Sequence, residues 1–498
     1  MQRGCLLVKQ PRIAVQSQNI IIVLKVNHMI ANQAVKSKNR DVLDVLKFTL
    51  PIIFSNVVQT LFTAIDQVIV SSHGGDHVLA AIGATGHPVS MCMQLLFGVS
   101  IGASAVIAWR IGGGNKEEVR NSIHTTVGLG AVGGLIICLL GVVLARPILM
   151  LMKTPYSILE DAVGYLSVLS ISFIPQTIYN FGAAALRAMG DTKRPLYFLA
   201  VGGVIKTGLT WLIVAVWDAP VAYVALSTVV LFAISSVLTL ISLTRQHGEY
   251  HLRLRDVRLH RREVKDILLN GVPLGVMGSF MSLSNIVLQS AVNSFGELAI
   301  AGNTGANHIN NVLSNIVSGF SHTSTIYCSK HYGAGDSKGF KRSLTLCLFW
   351  MVVCGLLSGS IFFVLRRELM GLFVESSEAV EYGVAWLNMI CFTYIINGAQ
   401  EIFRGALSAL NRSAFPMISQ AIGFLGFRAL WVNTYFASHR SMNVLCFSYP
   451  TAWTITLILN VIFFAIFFRR HLGKKKDNLK ILKLYEGKSY DCQSSGKV

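Results

Sequence analysis

Charge is what this sequence has least of. Only 13% of its 498 residues are Asp, Glu, Lys or Arg, against about 25% in a soluble chain. The three or so soluble domains that length alone would suggest therefore have almost no polar sequence to be built from. The nine cysteines contain no CxxC pair, which leaves a zinc site or a disulfide framework without support. Cys138, Cys354 and Cys391 lie in apolar runs and are expected as buried free thiols. No nucleophile stands beside a base and no metal-ligand cluster is visible, so an enzyme is not expected. Gly112 to Gly114 follow no strand and lack the Lys-Ser/Thr ending of a phosphate loop, which argues against ATP as the energy source. Acids are scarcer than bases, 24 against 43, for a net charge of +19. That excess can indicate nucleic acid, but here the basic residues sit in short loops, where they set membrane topology, and no nucleic-acid partner is expected. A secretory leader is not evident either. Asn19 to Val26 is a short apolar patch interrupted by Lys25, with no small-residue cleavage site, and Met29 is a candidate alternative start.

Apolar sequence is abundant: 53% of residues are hydrophobic and the mean hydropathy is +0.56. Runs of about 20 such residues recur, each long enough to cross a hydrocarbon core of about 30 Å as a helix. They fall at 43–71, 79–108, 121–144, 160–186, 196–216, 220–243, 266–294, 298–326, 343–364, 381–407, 415–436 and 446–468. The expectation is an all-α, multi-pass membrane protein of about twelve helices, monomeric in its lipid bilayer. Eighteen Lys and Arg residues occupy loops after even-numbered spans, among them Arg110, Arg187, Arg253 and Lys338. Loops after odd-numbered spans hold five: Arg146, Lys153, Arg366, Arg367 and Arg440. Basic loops stay in the cytoplasm, so both termini are expected there. Residues 1–42 are expected as a disordered extension, 43–243 as an N-lobe of helices 1–6, 244–265 as a basic cytoplasmic linker, 266–468 as a C-lobe of helices 7–12, and 469–498 as a disordered cytoplasmic tail.

The two halves repeat. Leu50-Pro51-Ile52 matches Val272-Pro273-Leu274, the Ile111 to Lys116 turn matches Tyr332 to Ser337, and Arg146 to Met150 matches Arg366 to Met370. Six helices separate the copies, so both share one orientation, which is a parallel repeat about an axis along the membrane normal, with substrate sites near the interface between halves.

Polar residues inside the spans form rows at helical spacing. Span 1 carries Asn56, Gln59, Thr63 and Asp66; span 7 carries Ser282, Asn285, Gln289 and Asn293; span 8 carries Asn303, Asn307, Asn311 and Asn315; span 10 carries Asn397, Glu401, Arg404 and Ser408. Such rows line a water-filled cleft, or bind helices to one another; both readings stand at this point. Asp66 is the sharpest residue, a carboxylate well inside span 1 that can exchange a proton or bind Na+ according to the face it sees, unless it only reaches the interface from a helix end. Glu401 has Arg404 three residues on and can satisfy itself on one helix face. Lys206 in span 5 and Arg428 in span 11 each need a partner. Asn180 shares a face of span 4 with Gln176, as a site residue or as a packing amide.

These segments, together with Ala64-Ile65-Asp66-Gln67, Tyr179-Asn180-Phe181, the Leu186 to Pro195 turn, Ala301-Gly302-Asn303-Thr304 and Ser448-Tyr449-Pro450 with Trp453, resemble the multidrug and toxic compound extrusion (MATE) family, especially its bacterial members, over roughly residues 41–470. The resemblance implies two six-helix lobes around a V-shaped cleft in the bacterial cytoplasmic (inner) membrane. It implies export of amphipathic, often cationic small molecules in antiport with H+ or Na+ and without a cofactor. Asp66 falls on the family's span-1 coupling carboxylate, Asn180 near a polar cluster of the same lobe, and Glu401 near an acidic position of span 10. Departures are Lys206 and Thr210, where Asn or Asn then Asp is usual; Asn310, where Glu is; Met277, where Gln is; and Ser408-Ala409-Leu410-Asn411 in place of an Arg-Gly-x-Gly-like turn. Lys206 is expected as a tethered cation that competes with Na+ for Asp66. The alternatives are a flippase for lipid-linked precursors from the same superfamily and a degenerate, non-transporting homologue.

Overall fold

The computed structural model describes residues 12–73, 75–217, 220–246, 250–374 and 376–494; side chains before Val42 and after Arg470 lie outside the described residues. The helices are α1 (Arg12–His73), α2 (Gly75–Gly113), α3 (Lys116–Leu151), α4 (Tyr156–Ile171), α5 (Phe173–Ala188), α6 (Lys193–Trp211), α7 (Val221–Thr244), α8 (Arg261–Asn293), α9 (Glu297–Gly333), α10 (Ser337–Val364), α11 (Arg366–Gly371), α12 (Ser377–Ala409), α13 (Ala414–Gln420), α14 (Arg428–Trp431) and α15 (Met442–Ser494). No strand occurs among the described residues.

Among the described residues, ten helices, some with their π-helical continuations, are long and apolar enough to cross a bilayer. The α4–α5 pair adds an eleventh crossing, bent by 40° around Ser172. Pro175 sits in the first turn of α5, where its missing N–H costs nothing. Helix α9 completes the twelve: it has 37 residues, but its asparagine row keeps it from the purely apolar composition of the others. The expected twelve-helix, all-α membrane fold is therefore the observed one. Residues 414–436 cross as α13 and α14 joined by π-helical stretches, Ala421–Phe427 and Val432–Phe436.

The described backbone is helical from Arg12 and onward to Ser494. Between Arg12 and Leu50 there is neither Gly nor Pro, so nothing in the local sequence stops a helix. Residues 1–11 and 495–498 lie outside the described residues.

Within one half α3, α4, α5, α6 and α7 pack together, and within the other α9, α10, α12, α13 and α15 do so. The halves meet mainly through α2 against α8 and α9. Glycine makes this meeting possible. A Cβ on Gly98 would lie 2.1 Å from Gly275 N, and one on Gly102 2.5 Å from Gly271 Cα. Gly112 sits under Lys330 O (1.9 Å from its would-be Cβ) and Gly333 under Trp109 O (2.0 Å). These last two contacts are each other's repeat counterparts, so a pseudo-two-fold axis passes between α2 and α9. The mate of the α2–α8 seam is α1 against α9: Ile53 packs on Gly319, Thr49 and Thr323 share a hydrogen bond of 2.8 Å, and Phe48 meets Tyr327 edge-on at 5.1 Å. All these contacts fall in the half of the molecule that carries the glycine turns 112–114 and 333–335. Outside, Leu139, Val143, Leu357 and Val364 are exposed, as lipid-facing side chains are.

Candidate functional site

In the first half, Phe62 of α1 lies against Gly203 of α6, where a Cβ would come within 1.9 Å of the ring. The missing side chain lets α1 approach α6. One turn further along both helices, Asp66 forms an ion pair with Lys206. The carboxylate is 16% and the lysine 9% exposed. Thr210 Oγ1, also on α6, donates to Asp66 Oδ1 at 3.1 Å and lies 2.9 Å from Ser227 Oγ of α7. Asp66, Lys206 and Ser227 line a cavity of about 240 Å³, with Gln59, Thr63, Tyr165 and Gln176 on its wall. Helices α1, α6 and α7 thus converge on Asp66.

A second cavity of about 180 Å³ lies where α2, α8, α9 and α12 meet. On its wall Arg404 Nε donates to Glu401 Oε2 at 2.6 Å, and Gln400 and Gln420 donate to Glu401 Oε1 at 3.0 and 3.2 Å. Arg404 also reaches Ser321 Oγ at 2.7 Å. Glu401 is therefore held by Gln400 and Arg404 of its own helix and by Gln420 of α13, and the structure does not bring it to Asp66. Asn180 is absent from the walls of both cavities, although Gln176, one turn before it, lines the first.

The asparagine row of α9 divides in two. Asn303 is buried and donates to Gln289 of α8 at 3.1 Å, and Gln289 donates to Asn293 at 2.8 Å. Asn315 donates to Thr60 of α1 at 3.2 Å. These amides join helices. Asn285 and Asn311 are exposed and Asn307 half-buried. Of the residues that depart from the family pattern, Asn310 accepts from the Tyr394 hydroxyl, Met277 lines the second cavity, and Ser408 Oγ donates to Asn270 Oδ1 at 3.1 Å.

Arg428 finds no carboxylate among the described residues. It is 1% exposed, donates to Ser284 Oγ at 3.0 Å, and stacks on Phe424 and Tyr449 at 4.6 and 4.5 Å. The negative faces of these rings attract its guanidinium.

Three features are not evident from the sequence. Tyr165 and Ser227 belong to the Asp66 cavity; Ser227-Thr228, a hydroxyl pair in the middle of an apolar span, was the available signal. Arg110 was read only as a topology-setting charge, but it is 6% exposed and binds Glu118 of α3 (3.0 Å) with Glu263 and Asp266 of α8 (3.1 and 2.7 Å). The acids at 263 and 266, at the end of the basic linker and the start of span 7, pointed to it. No group of three potential metal ligands occurs among the described residues.

A twelve-helix bundle with a pseudo-two-fold axis, and a carboxylate–ammonium pair in a polar cavity of one half, defines a membrane transporter rather than an enzyme. The MatE family model matches residues 51–212 and 273–431, two stretches beginning at the repeated prolines, and the chain belongs to this family of multidrug efflux transporters. The Bacillus subtilis probable multidrug resistance protein YoeA is 22% identical over 421 residues, covering 83% of this chain and 91% of that protein. The Thermotoga maritima probable multidrug resistance protein NorM is 23% identical over 384 residues, covering 75% and 81%. Among solved structures, the outward-facing conformation of a multidrug resistance MATE family transporter of the MOP superfamily superposes with a TM-score of 0.80 at 20% identity, over 86% of this chain and 96% of that one. A MOP superfamily transporter from Pyrococcus furiosus, described by a reversed polarity of its binding pocket, superposes at 0.79 with 19% identity over 85% and 95%.

Proposed function

We propose that this protein is a proton-coupled antiporter of the bacterial cytoplasmic membrane that exports amphipathic, chiefly cationic small molecules, with both termini in the cytoplasm. With the basic loops inside, the glycine-sealed end is the cytoplasmic one and the described conformation opens outward. The observation that carries the reading is the Asp66–Lys206 pair. Antiport requires ion and substrate to favour different states of the protein. Protonating Asp66 leaves Lys206 as an uncompensated cation in the cavity, which lowers that cavity's affinity for a second cation; proton and substrate therefore exclude each other. Na+ is a poor alternative. A sodium ion on Asp66 would sit within about 4 Å of the ammonium, a repulsion of about 4 kcal/mol at an effective dielectric constant near 20. Lys206→Asn tests this. The variant is expected to gain Na+-dependent flux, and a variant with the wild-type pattern of ion dependence would remove the assigned role from Lys206. A flippase for a pyrophosphate-linked lipid needs free intramembrane cations, whereas here Lys206 is engaged by Asp66 and Arg428 by Ser284 and two rings.

A further inference from the structure

We propose that the segment joining the two halves, residues 250–260, is a docking surface for the headgroups of anionic phospholipids. The segment is fixed in place. Leu252 is buried and its N–H donates to Leu243 O at 3.0 Å. Arg253 N donates to His124 Nε2 at 3.1 Å, and His260 N donates to Thr125 Oγ1 at 3.2 Å. Val257 and Leu259 rest on Gly128 of α3, where a Cβ would stand 3.1 Å from Leu259 Cδ2. Gly128 is twelve residues into a membrane-crossing helix, so the segment lies down along the bilayer surface instead of standing off in water.

Its outer side has two kinds of residue together. Arg253, Arg255, Arg258 and Arg261 are exposed, with Asp256 the acid among them. No carboxylate pairs with Arg255, Arg258 or Arg261 among the described residues. Leu254 is 58% and Leu259 48% exposed. Arginines with interleaved leucines at headgroup depth suit an interface where phosphates meet acyl chains. A nucleic acid or another soluble polyanion would account for the arginines but leave both leucines in water. The next residues, Arg262 and Glu263, bind Glu118 and Arg110, so headgroups bound here press directly on the ion network between α2, α3 and α8.

The full-length protein in detergent, supplied with dioleoyl phosphatidylglycerol or dioleoyl phosphatidylcholine and weighed by native mass spectrometry, tests this. Phosphatidylglycerol should be retained preferentially, and each of R253Q, R255Q and R258Q should weaken its retention about fivefold. Lys153→Gln, in a loop after an odd-numbered span, should change nothing. Equal retention of the two lipids, or a triple variant that holds phosphatidylglycerol as the wild type does, would overturn the proposal. A second measurement does not depend on the arginine variants: Leu254→Trp in vesicles should be quenched by phosphatidylglycerol brominated in its acyl chains. An unquenched tryptophan would place the segment in water and refute the lipid assignment, and competition by added RNA in place of lipid would do the same.

Discussion

Replacing Gly98 with alanine should push open the end of the molecule that the α2–α8 glycine seam closes. The added methyl would stand 2.1 Å from Gly275 N, 2.3 Å from Gly275 Cα and 2.6 Å from Leu274 C. All three are backbone atoms, so no rotamer change can make room. Carbon contacts settle at about 3.5–4.0 Å, so α2 and α8 must separate by more than about 1 Å. Overpacking of this kind costs about 1–3 kcal/mol. The cost falls only on the conformation in which these helices touch, and so shifts the balance between conformations about 5- to 150-fold. Spin labels on the exposed Arg120 and Lys338, one on α3 and one on α10, read that balance as a distance distribution. Gly98→Ala should move population to longer distances, while Gly208→Ala, with no atom within 4 Å of its Cβ, should not. An unchanged distribution in Gly98→Ala would refute the view that the glycine seam closes this end.

Two further outcomes follow from charged groups at the same end. Arg110→Gln strands the buried Glu263, and breaking a buried pair by removing one partner costs about 3–5 kcal/mol; the variant should unfold at lower temperature in detergent, and adding Glu263→Gln should recover part of the loss. Asp336 caps α10 by accepting from Lys338 N and Gly339 N at 3.1 and 2.9 Å. Its pKa is lowered, chiefly by the Gly339 N–H and also by His331 and the Lys338 N–H, against an opposing effect of burial. A lowered carboxylate pKa stabilises the fold above the unfolded value of about 3.9 and loses that contribution as pH falls through the folded value. Because the carboxylate is half exposed, Asp336→Ala should cost only about 0.5 kcal/mol at neutral pH, and the thermal stabilities of variant and wild type should converge below about pH 4.

Much of the fold was legible because a bilayer demands apolar runs of fixed length, and the runs at 43–71 and 343–364 state their helices outright. The bend at Ser172 was not legible, since no Gly marks it and Pro175 sits where a helix tolerates it. Gly112 could be read as part of a turn, but its role under Lys330 O depends on a partner more than two hundred residues away. The Asp66–Lys206 pair shows the same limit. Chemistry required a partner for each, and only the approach of α1 to α6 at Gly203 brings the two together. The polar rows were ambiguous because spacing reports which residues share a face and not what that face meets. Asn303 meets Gln289, whereas Asn311 is exposed.

The most direct test of the account is efflux of a fluorescent cationic dye from proteoliposomes under imposed H+ or Na+ gradients, for wild type and Asp66→Asn. The account predicts flux driven by the proton gradient and not by the Na+ gradient, lost in the variant. Proton-driven flux that survives in Asp66→Asn, or no gradient-driven flux in the wild type, would contradict it.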